Sequence, residues 1–404
     1  MPGQQAPWVA LSAATPQIIV DTLPETDLTI LIPDFSGGGA ERAALNLAGA
    51  LSRRGRRVEI LVFQDRGPLS GQCDDGVHVS VLGTRRALTS GRGIARYLDA
   101  TRPRTLLSFM FHTNVAAAIG VLLARHRPRL VWSVQNAPKE ALSKGGWPSS
   151  VVLRHAVKLG ARVPDAIVAV SQAVEHAFSE TVPRARGKLV TVYNPVIDPA
   201  RLPERLTRPP GSPPELIAVG RLAAQKNYPL MLEAFQRVRA DPRAREARLT
   251  ILGEGPLRAA IEAEAEKLGV TSGLRMPGFV DDPAAWMARS DVFVMSSDFE
   301  GLANVIPEAM AVGLPVVTTD WPPAAREVLE DGRWGRLVPL GDPQALADAI
   351  LATLADGGTD ARARAKDFEI EPMADAYERV LFPATNTVPP TTECSSWRKI
   401  ASKG

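Results

Sequence analysis

The sequence predicts an α/β protein built from two doubly wound domains that face each other across a cleft. Short apolar runs alternate with helical patterns through both halves of the 404-residue chain. Near-continuous apolar strands separated by helices are typical of a parallel sheet that is covered on both faces. A Pro-rich stretch from Asn194 to Glu215 interrupts the alternation. It predicts a linker between the two series.

The first series begins with DLTILIPDF, an apolar strand. The amphipathic segment GGAERAALNLAGALSRRG predicts a helix ending at Gly55, and RVEILVF predicts the next strand. Further buried strands are predicted at VHVSVLG, TLLSFMF, RLVWSVQ and DAIVAVS.

The second series repeats this pattern after the linker. Its strands are predicted at LIAVG, RLTILGEG, LRMPGFV, DVFVMSS and PVVTTD. A last helix, roughly Glu371 to Phe382, is expected to pack back across the boundary. The expected division is a disordered tail over 1–27, a first domain over 28–205, a second domain over 206–370, a crossover helix over 371–383 and a disordered tail over 384–404.

Charge is distributed unevenly along the chain. The formal net charge of +3 divides into +12 over 28–205, −6 over 206–404 and −3 over the first 27 residues. A basic first domain favours an anionic partner such as a membrane surface, and a solvated Arg-rich surface is the competing interpretation. Two distant cysteines favour a reducing compartment. The sequence contains no signal-peptide pattern and no apolar run of 18 residues.

The segment SSDFEGLANVIPEAMAVGLPVVTTD carries two carboxylates around a predicted helix start. Glu300 lies in the loop and Glu308 about one turn into the helix, for which Asn304 is the expected N-cap and Gly313 the expected stop. Free amides at this helix start would suit a phosphate, and the two acids would suit sugar and ribose hydroxyls. The alternative is a solvated loop acid and an acid that only favours the helix dipole.

Two loops at predicted strand ends carry further candidates. FSGGGAER follows the first strand, and its glycines would let a ligand approach the backbone closely. VGRLAAQKN follows the first strand of the second series, where Arg221 and Lys226 could hold a diphosphate. A tight turn and two ordinary surface cations are the respective alternatives.

Weaker signals come from two other places. ILGEGPLRAAIE and MPGFVDD put glycine turns at strand ends, and the backbone at Phe279 and Val280 could contact a nucleobase. His112 follows a buried strand of the basic half, where a functional role and a buried structural histidine are equally supported. No Asp-x-Asp motif and no His/Cys cluster with metal-ligand spacing occurs, so the sequence predicts neither a metal nor a cofactor.

Taken together, residues 28–382 resemble the retaining nucleotide-sugar glycosyltransferases of family 4, which have the GT-B fold of two Rossmann-like domains. Glu300 and Glu308 match the E-x7-E motif of that family. GGGAER, VGRLAAQKN, LGEGP and PGFVDD match other recurring positions in the same order. The GGGAER segment near the start of the chain and the strand end SFMFHTNVA look most like those of bacterial members that extend lipid-linked glycans.

The resemblance implies a role for each matching residue. Glu308 would hold the donor ribose, Glu300 would contact the donor sugar, and Arg221 and Lys226 would stabilise the diphosphate. The implied catalytic residues are Glu300, His112, Lys226 and Arg221, although His112 does not align securely. The implied donor-binding residues are Gly38, Gly39, Arg221, Lys226, Phe279, Val280, Glu300, Leu302, Ala303, Asn304, Val305 and Glu308.

The implied partners are a nucleotide-sugar donor, favoured as a UDP-sugar over a GDP-sugar, a lipid-linked glycan acceptor and an anionic membrane surface, with no nucleic acid. The expected location is cytoplasmic and peripheral at the inner face of the cytoplasmic membrane. A nucleotide-sugar epimerase or phosphorylase of the same fold is one alternative, and a non-catalytic nucleotide-sugar-binding subunit is another.

Overall fold

The computed structural model describes residues 26–84, 90–138, 149–209, 211–321 and 323–384. The two predicted disordered tails lie outside these residues except for Thr26, Asp27 and Ala384. Thr26 and Asp27 are buried, and the Asp27 carboxylate accepts a hydrogen bond from the backbone of Arg57. Thr26 and Asp27 therefore pack with the first domain.

Seven parallel strands form the first sheet in the part of the first domain that the structure describes, in the order β3-β2-β1-β4-β5-β6-β7. The strands are β1 Leu28–Ile32, β2 Val58–Val62, β3 Val77–Val81, β4 Thr105–Phe109, β5 Arg129–Val134, β6 Ala166–Ala169 and β7 Leu189–Thr191. The described helices around them are α1 Gly39–Arg53, α2 Gly91–Thr101, α3 Phe111–Leu123, α4 Ser149–Gly160 and α5 Gln172–Thr181.

The second sheet has six parallel strands among the described residues, in the order β10-β9-β8-β11-β12-β13. They are β8 Glu215–Val219, β9 Arg248–Leu252, β10 Leu274–Gly278, β11 Val292–Met295, β12 Val316–Thr319 and β13 Arg336–Val338. The helices are α6 Tyr228–Ala240, α7 Arg258–Lys267, α8 Pro283–Met287, α9 Val305–Ala311, α10 Ala324–Leu329, α11 Pro343–Asp356, α12 Arg362–Ala365 and α13 Ile370–Leu381.

The predicted fold class is confirmed, and each predicted strand is present. The two strands that the pattern missed, β7 and β13, span three residues each, which is too short for an apolar period to stand out. One prediction of burial is wrong: β3 is largely exposed, with Val79 and Val81 facing solvent. β3 is an edge strand of the sheet, and the rest of the domain covers its side chains only partly.

Helix α13 returns from the second domain and packs on the first. Tyr377 and Val380 are buried in the same apolar cluster as β1 and α1. Arg54, at the end of α1, pairs with Glu371 and Asp375 at 2.6 Å each. The last helix therefore ties the two domains together.

The strand order reverses between β1 and β4 in the first sheet and between β8 and β11 in the second. In parallel sheets, ligands bind outside the carboxyl ends of the strands at such switch points. The loops after these four strands hold most of the candidate residues, and the two domains touch there: Asn304 Nδ2 donates to the Gly39 carbonyl at 2.8 Å.

Candidate functional site

The loops that follow β8 and β11 are joined into one unit. The Ser296 hydroxyl donates to the carbonyls of Lys226 and Asn227 at 2.8 and 2.9 Å. The amide of Asp298 donates in turn to the Gln225 carbonyl at 2.9 Å. These strands are neighbours in the sheet, so the sequence brings a cationic loop and an acidic loop together at one edge.

Lys226 and Glu300 meet at the centre of this unit. Lys226 Nζ lies 2.8 Å from Glu300 Oε1, and the two side chains are 16% and 10% exposed. The Ser297 hydroxyl donates to the same carboxylate oxygen at 3.0 Å. Because both side chains are poorly solvated, each charge is stabilised mainly by the other. An incoming anion could bind Lys226 in place of Glu300, and an incoming hydroxyl could donate to Glu300.

Glu308 lies in different surroundings. It lines a cavity of about 370 Å³ between the domains, together with Arg42 from α1 and Asp282 from the second domain. The described lining of this cavity does not include Arg221, Lys226 or Glu300. Burial raises the pKa of Glu308 to about 7; Asp282 adds to this effect, and Arg42 opposes it. The two acids of the motif therefore have different electrostatic environments.

Arg221 is exposed, and its guanidinium forms no ion pair with the residues that the structure describes. Its charge acts on Glu41, a buried acid of α1 in the first domain. Burial raises the pKa of Glu41 above its ordinary value. The hydrogen bond from Ser36, at 3.2 Å, and the charge of Arg221 offset part of this increase. Arg221 thus extends from the second domain towards an acid of the first, and it is available to an anion.

At the start of α1, the space next to Gly38 and Gly39 is occupied by side chains of the protein itself. A Cβ at Gly38 would collide with the Glu41 carboxylate. A Cβ at Gly39 would lie 2.9 Å from Asn304 Nδ2. Close approach of a donor to Gly38 and Gly39 stays a prediction.

His112 occupies the start of α3, directly after β4. Burial lowers its pKa, and Asp34 partly offsets the effect. The imidazole is therefore favoured in its neutral form. Met110, which directly precedes α3 and stands two residues before His112, has φ +71° and ψ 148°, a conformation that non-glycine residues rarely adopt. Backbone strain of this kind costs on the order of 1–3 kcal/mol and is common at functional sites.

The loop from Leu302 to Val305 is mostly buried, and Ala303 has a left-handed φ of +60°. Asn304 occupies the N-cap position of α9, as expected, but its side chain makes no capping hydrogen bond. The side chain instead donates to Gly39 and accepts from Asn194 at 3.1 Å. The capping prediction is wrong because the first domain provides a better partner for this amide.

Phe279 and Val280 lie at the junction of the domains. Both are half-buried: Phe279 packs against the apolar cluster of the first domain, and Val280 against the larger cluster that spans both. A contact between their backbone and a base stays a prediction.

Several polar residues at these sites were missed by sequence reasoning. Glu41 and Arg42 stand in the quoted GGGAER, where only the glycines received a role, and Asn194 stands at the first position of the linker. Ser36 and Asp34 hydrogen-bond each other beside Glu41 at 2.5 Å. The signal that could have found Glu41 and Arg42 was their place in the first turn after a glycine loop.

Among the described residues, no group of three or more His, Cys, Asp or Glu side chains gathers closely enough to hold a metal ion. Within the same part of the chain, none of the helices combines the length and the apolar character needed to cross a bilayer.

Two family models match the chain. The model described as Glycosyltransferase Family 4 matches residues 37–199, and the model described as Glycosyl transferases group 1 matches residues 213–356. The first match begins after β1 and includes the other strands of the first sheet, and the second match includes all six strands of the second sheet.

Three curated proteins illustrate the relatives. The N-acetylgalactosamine-N,N'-diacetylbacillosaminyl-diphospho-undecaprenol 4-alpha-N-acetylgalactosaminyltransferase of Campylobacter jejuni is 32% identical over 41% of this chain and 43% of its own. The lipopolysaccharide core biosynthesis glycosyltransferase LpsE of Rhizobium meliloti is 33% identical over 43% of this chain and 51% of its own. A glycogen synthase of Mycobacterium tuberculosis is 30% identical over 61% of each. The chain spans about half the length of the first two relatives.

Solved structures share the architecture across nearly the whole chain. Anabaena Alr3699/HepE in complex with UDP and glucose superposes with a TM-score of 0.75 at 20% identity, covering 88% of this chain and 99% of that one. WaaG, a glycosyltransferase involved in lipopolysaccharide biosynthesis, superposes with a TM-score of 0.68 at 17% identity, covering 88% and 100%. The chain thus has the GT-B fold, and it belongs to the glycosyltransferases that join a family 4 domain to a group 1 domain.

Proposed function

We propose that this protein is a retaining glycosyltransferase of bacterial cell-surface glycan synthesis. It would transfer a sugar from a nucleotide-diphosphate donor, a UDP-sugar in preference to a GDP-sugar, to a lipid-linked or polysaccharide-precursor acceptor. The observation that carries the proposal is the mostly buried Lys226–Glu300 pair at the switch point of the second sheet. It unites a cation for the donor phosphate with an acid for the donor sugar.

The diphosphate of the donor would be met by cations. Arg221 is exposed and can turn from Glu41 towards a phosphate, and Lys226 can shift its ammonium from Glu300 to the same group. The amides of Leu302 to Val305 would assist. Placed where charge develops on the leaving group, such donors stabilise the transition state.

Glu300 would accept hydrogen bonds from sugar hydroxyls and stabilise the positive charge that grows on the sugar. The bond between the anomeric carbon and the phosphate oxygen breaks, and the acceptor oxygen forms the new bond on the same face. The acceptor proton passes to the departing diphosphate, so no carboxylate is needed as a general base, and because the acceptor attacks on the same face, none is needed as a nucleophile. Neutral His112, at the carboxyl end of β4, would lie on the acceptor side.

Glu308 would hold the ribose within the interdomain cavity. A volume of about 370 Å³ falls within the range of small-molecule sites. Arg42 lines the same cavity from the first domain and would contribute charge near the nucleotide. The preference for uridine rests on the solved relatives that are in complex with UDP or UDP-glucose.

Donor turnover with matched variants tests the proposal. The purified protein is incubated with labelled UDP- and GDP-sugars, with and without bacterial lipid extract, and released nucleoside diphosphate is measured. We expect acceptor-dependent release by the wild type, with K226A and E308A losing it while remaining folded. Near-normal transfer by both variants would refute the site. Conversion of the sugar without any acceptor would indicate an epimerase, and UDP binding without turnover would indicate a binding subunit.

An exposed face of the first domain supports peripheral membrane association. On α4, Val152 and Leu159 are 58% and 60% exposed beside the cations Arg154 and Lys158, which are also exposed. The end of α3, which packs on α4, exposes Leu122 and Leu123 to a similar extent. Exposed apolar side chains on a helix that also carries exposed cations are typical of a helix that lies on anionic lipid.

Co-sedimentation with vesicles tests this association. We expect the wild type to pellet with phosphatidylglycerol vesicles at low salt and to be released at high salt, because screening weakens the electrostatic part. V152E/L159E should stay in the supernatant. L340E, which changes an exposed leucine of the second domain, should pellet like the wild type. A wild-type protein that stays in solution at low salt would rule out the membrane surface.

A further inference from the structure

The loop that carries Glu300 is held by the first domain. Here the residues 300–304 are called the acid loop. The Ser171 hydroxyl donates to the carbonyl of Gly301 at 2.8 Å, and the Gly301 backbone packs so closely on the Gln135 carbonyl that a Cβ would overlap it. Ser171 has no exposed surface. The residue directly after Glu300 is therefore anchored to the opposite domain.

Asn304 anchors the other end of the acid loop. Its amide nitrogen donates to Gly39 at 2.8 Å, and its amide oxygen accepts from Asn194 at 3.1 Å. Asn194 is 2% exposed, and it also donates to the side-chain oxygen of Gln135 at 2.9 Å. Both polar atoms of Asn304 are thus used within the protein, by two segments of the first domain.

The backbone between these anchors is strained. Ala303 has φ +60°, which is unfavourable for a residue with a Cβ. Such a conformation persists only when the surroundings determine it. The described surroundings that hydrogen-bond the ends of the acid loop include Ser171, Asn194 and Gly39 of the first domain.

We propose that Asn304 is a positioning residue: its side chain couples contact between the domains to the placement of Glu300 and is not a ligand of the donor. Ser171 and Asn194 serve the same purpose from the first domain. The inference rests on the proposed function for its catalytic readout. It implies that the second domain can bind the nucleotide without this network, whereas sugar transfer requires it.

The test compares Asn304→Ala with Glu308→Ala and with a matched control. The control is Gln236→Ala. It also removes a hydrogen bond from a side-chain amide to a backbone carbonyl, that of Leu268 at 2.8 Å, but both residues belong to the second domain. We expect Asn304→Ala to lower kcat for transfer by about 10- to 100-fold, the effect of a misplaced catalytic group. Its affinity for UDP, measured by calorimetry, should stay within about twofold of wild type, whereas Glu308→Ala loses UDP binding.

A second variant separates the two halves of the contact. Asn304→Asp keeps an oxygen for Asn194 but places an acceptor opposite the Gly39 carbonyl, so it should be as impaired as the alanine variant. Hydrogen exchange of the amides of residues 300–305 is measured in parallel on the unliganded protein. It should accelerate in both Asn304 variants and not in Gln236→Ala.

The outcomes distinguish the inference from the proposed function. Loss of UDP affinity in Asn304→Ala equal to that of Glu308→Ala would make Asn304 a ligand and overturn the inference. Unchanged hydrogen exchange and unchanged kcat would also overturn it. If the wild type transfers no sugar at all, the proposed function fails, while the exchange measurement still decides whether Asn304 holds the acid loop.

Discussion

Lys226 Nζ and Glu300 Oε1 are 2.8 Å apart, and the two side chains come from loops that follow neighbouring strands of the second sheet. Neither charge is well solvated. Without a ligand each neutralises the other, so a bound diphosphate would compete with Glu300 for the ammonium. Binding of a diphosphate would therefore change the interaction that stabilises Lys226 and Glu300 in the unliganded protein.

Removing one member of the pair should destabilise the protein more than removing both. Lys226→Met leaves Glu300 poorly solvated and unpaired, and we expect the free energy of unfolding to fall by about 2 kcal/mol, below the value for fully buried pairs. Lys226→Met/Glu300→Gln should recover part of that loss in urea titrations. Lys267→Met removes an exposed partner of Glu264 and should change stability by less than about 0.5 kcal/mol. Equal effects of the two lysine variants would contradict the prediction.

The pKa of Glu308 predicts a pH dependence of stability. In the folded protein this pKa is about 7, against 4.5 for the ordinary group. Between these values the folded state holds a proton that the unfolded state has released, so the free energy of unfolding should fall as the pH rises from about 4.5 to 7. The full contribution is at most about 3 kcal/mol. Urea titrations across this range should show a shallower decline for Glu308→Gln.

The same ionisation should control affinity for the nucleotide. A Glu308 carboxylate accepts hydrogen bonds from both ribose hydroxyls, whereas the protonated acid accepts fewer. We therefore expect UDP to bind more tightly as the pH rises through about 7. Calorimetry on Glu308→Gln should show weaker binding and no such inflection. An inflection that persists in the glutamine variant would assign it to another group, such as the UDP phosphate.

Glu327 should be a stabilising contact between the domains. Its carboxylate, on α10, accepts from the backbone amides of Gln172 and Ala173 at 2.8 and 2.9 Å, at the N-terminus of α5. Charged acceptors at this end of a helix interact favourably with its dipole. We expect Glu327→Ala to cost about 2–4 kcal/mol of unfolding free energy. Glu233→Ala, which removes an exposed partner of Arg237, should leave the denaturation midpoint nearly unchanged.

Gly301 should not tolerate a side chain. A methyl group there would overlap the Gln135 carbonyl, so Gly301→Ala must separate the domains or shift the acid loop. We expect a lower melting temperature and a strong loss of transfer. Gly187→Ala adds a methyl group that meets no atom within 4 Å, and its melting temperature should match the wild type. Full activity of Gly301→Ala would show that this close contact is dispensable.

The sequence predicted the fold accurately where periodicity carries the information. β1, β2 and β4 are buried apolar runs, and each was found within a few residues of its observed bounds. The sequence assigned Lys226 and Glu300 to one donor site, and it is the structure that brings their side chains to 2.8 Å from each other. What failed depended on distant partners: Asn304 looked like a helix cap, and its side chain bonds instead to a residue 265 positions away.

The sequence alone determined that the chain forms two parallel α/β units and that the linker divides them. These features depend on local periodicity, which is encoded over short stretches of residues. The tertiary structure decided that Glu308 faces Arg42 in a cavity apart from Glu300, and that the first domain holds the acid loop. Those relationships depend on how the two domains are oriented, which arises from packing across their interface and leaves no periodic pattern in the sequence.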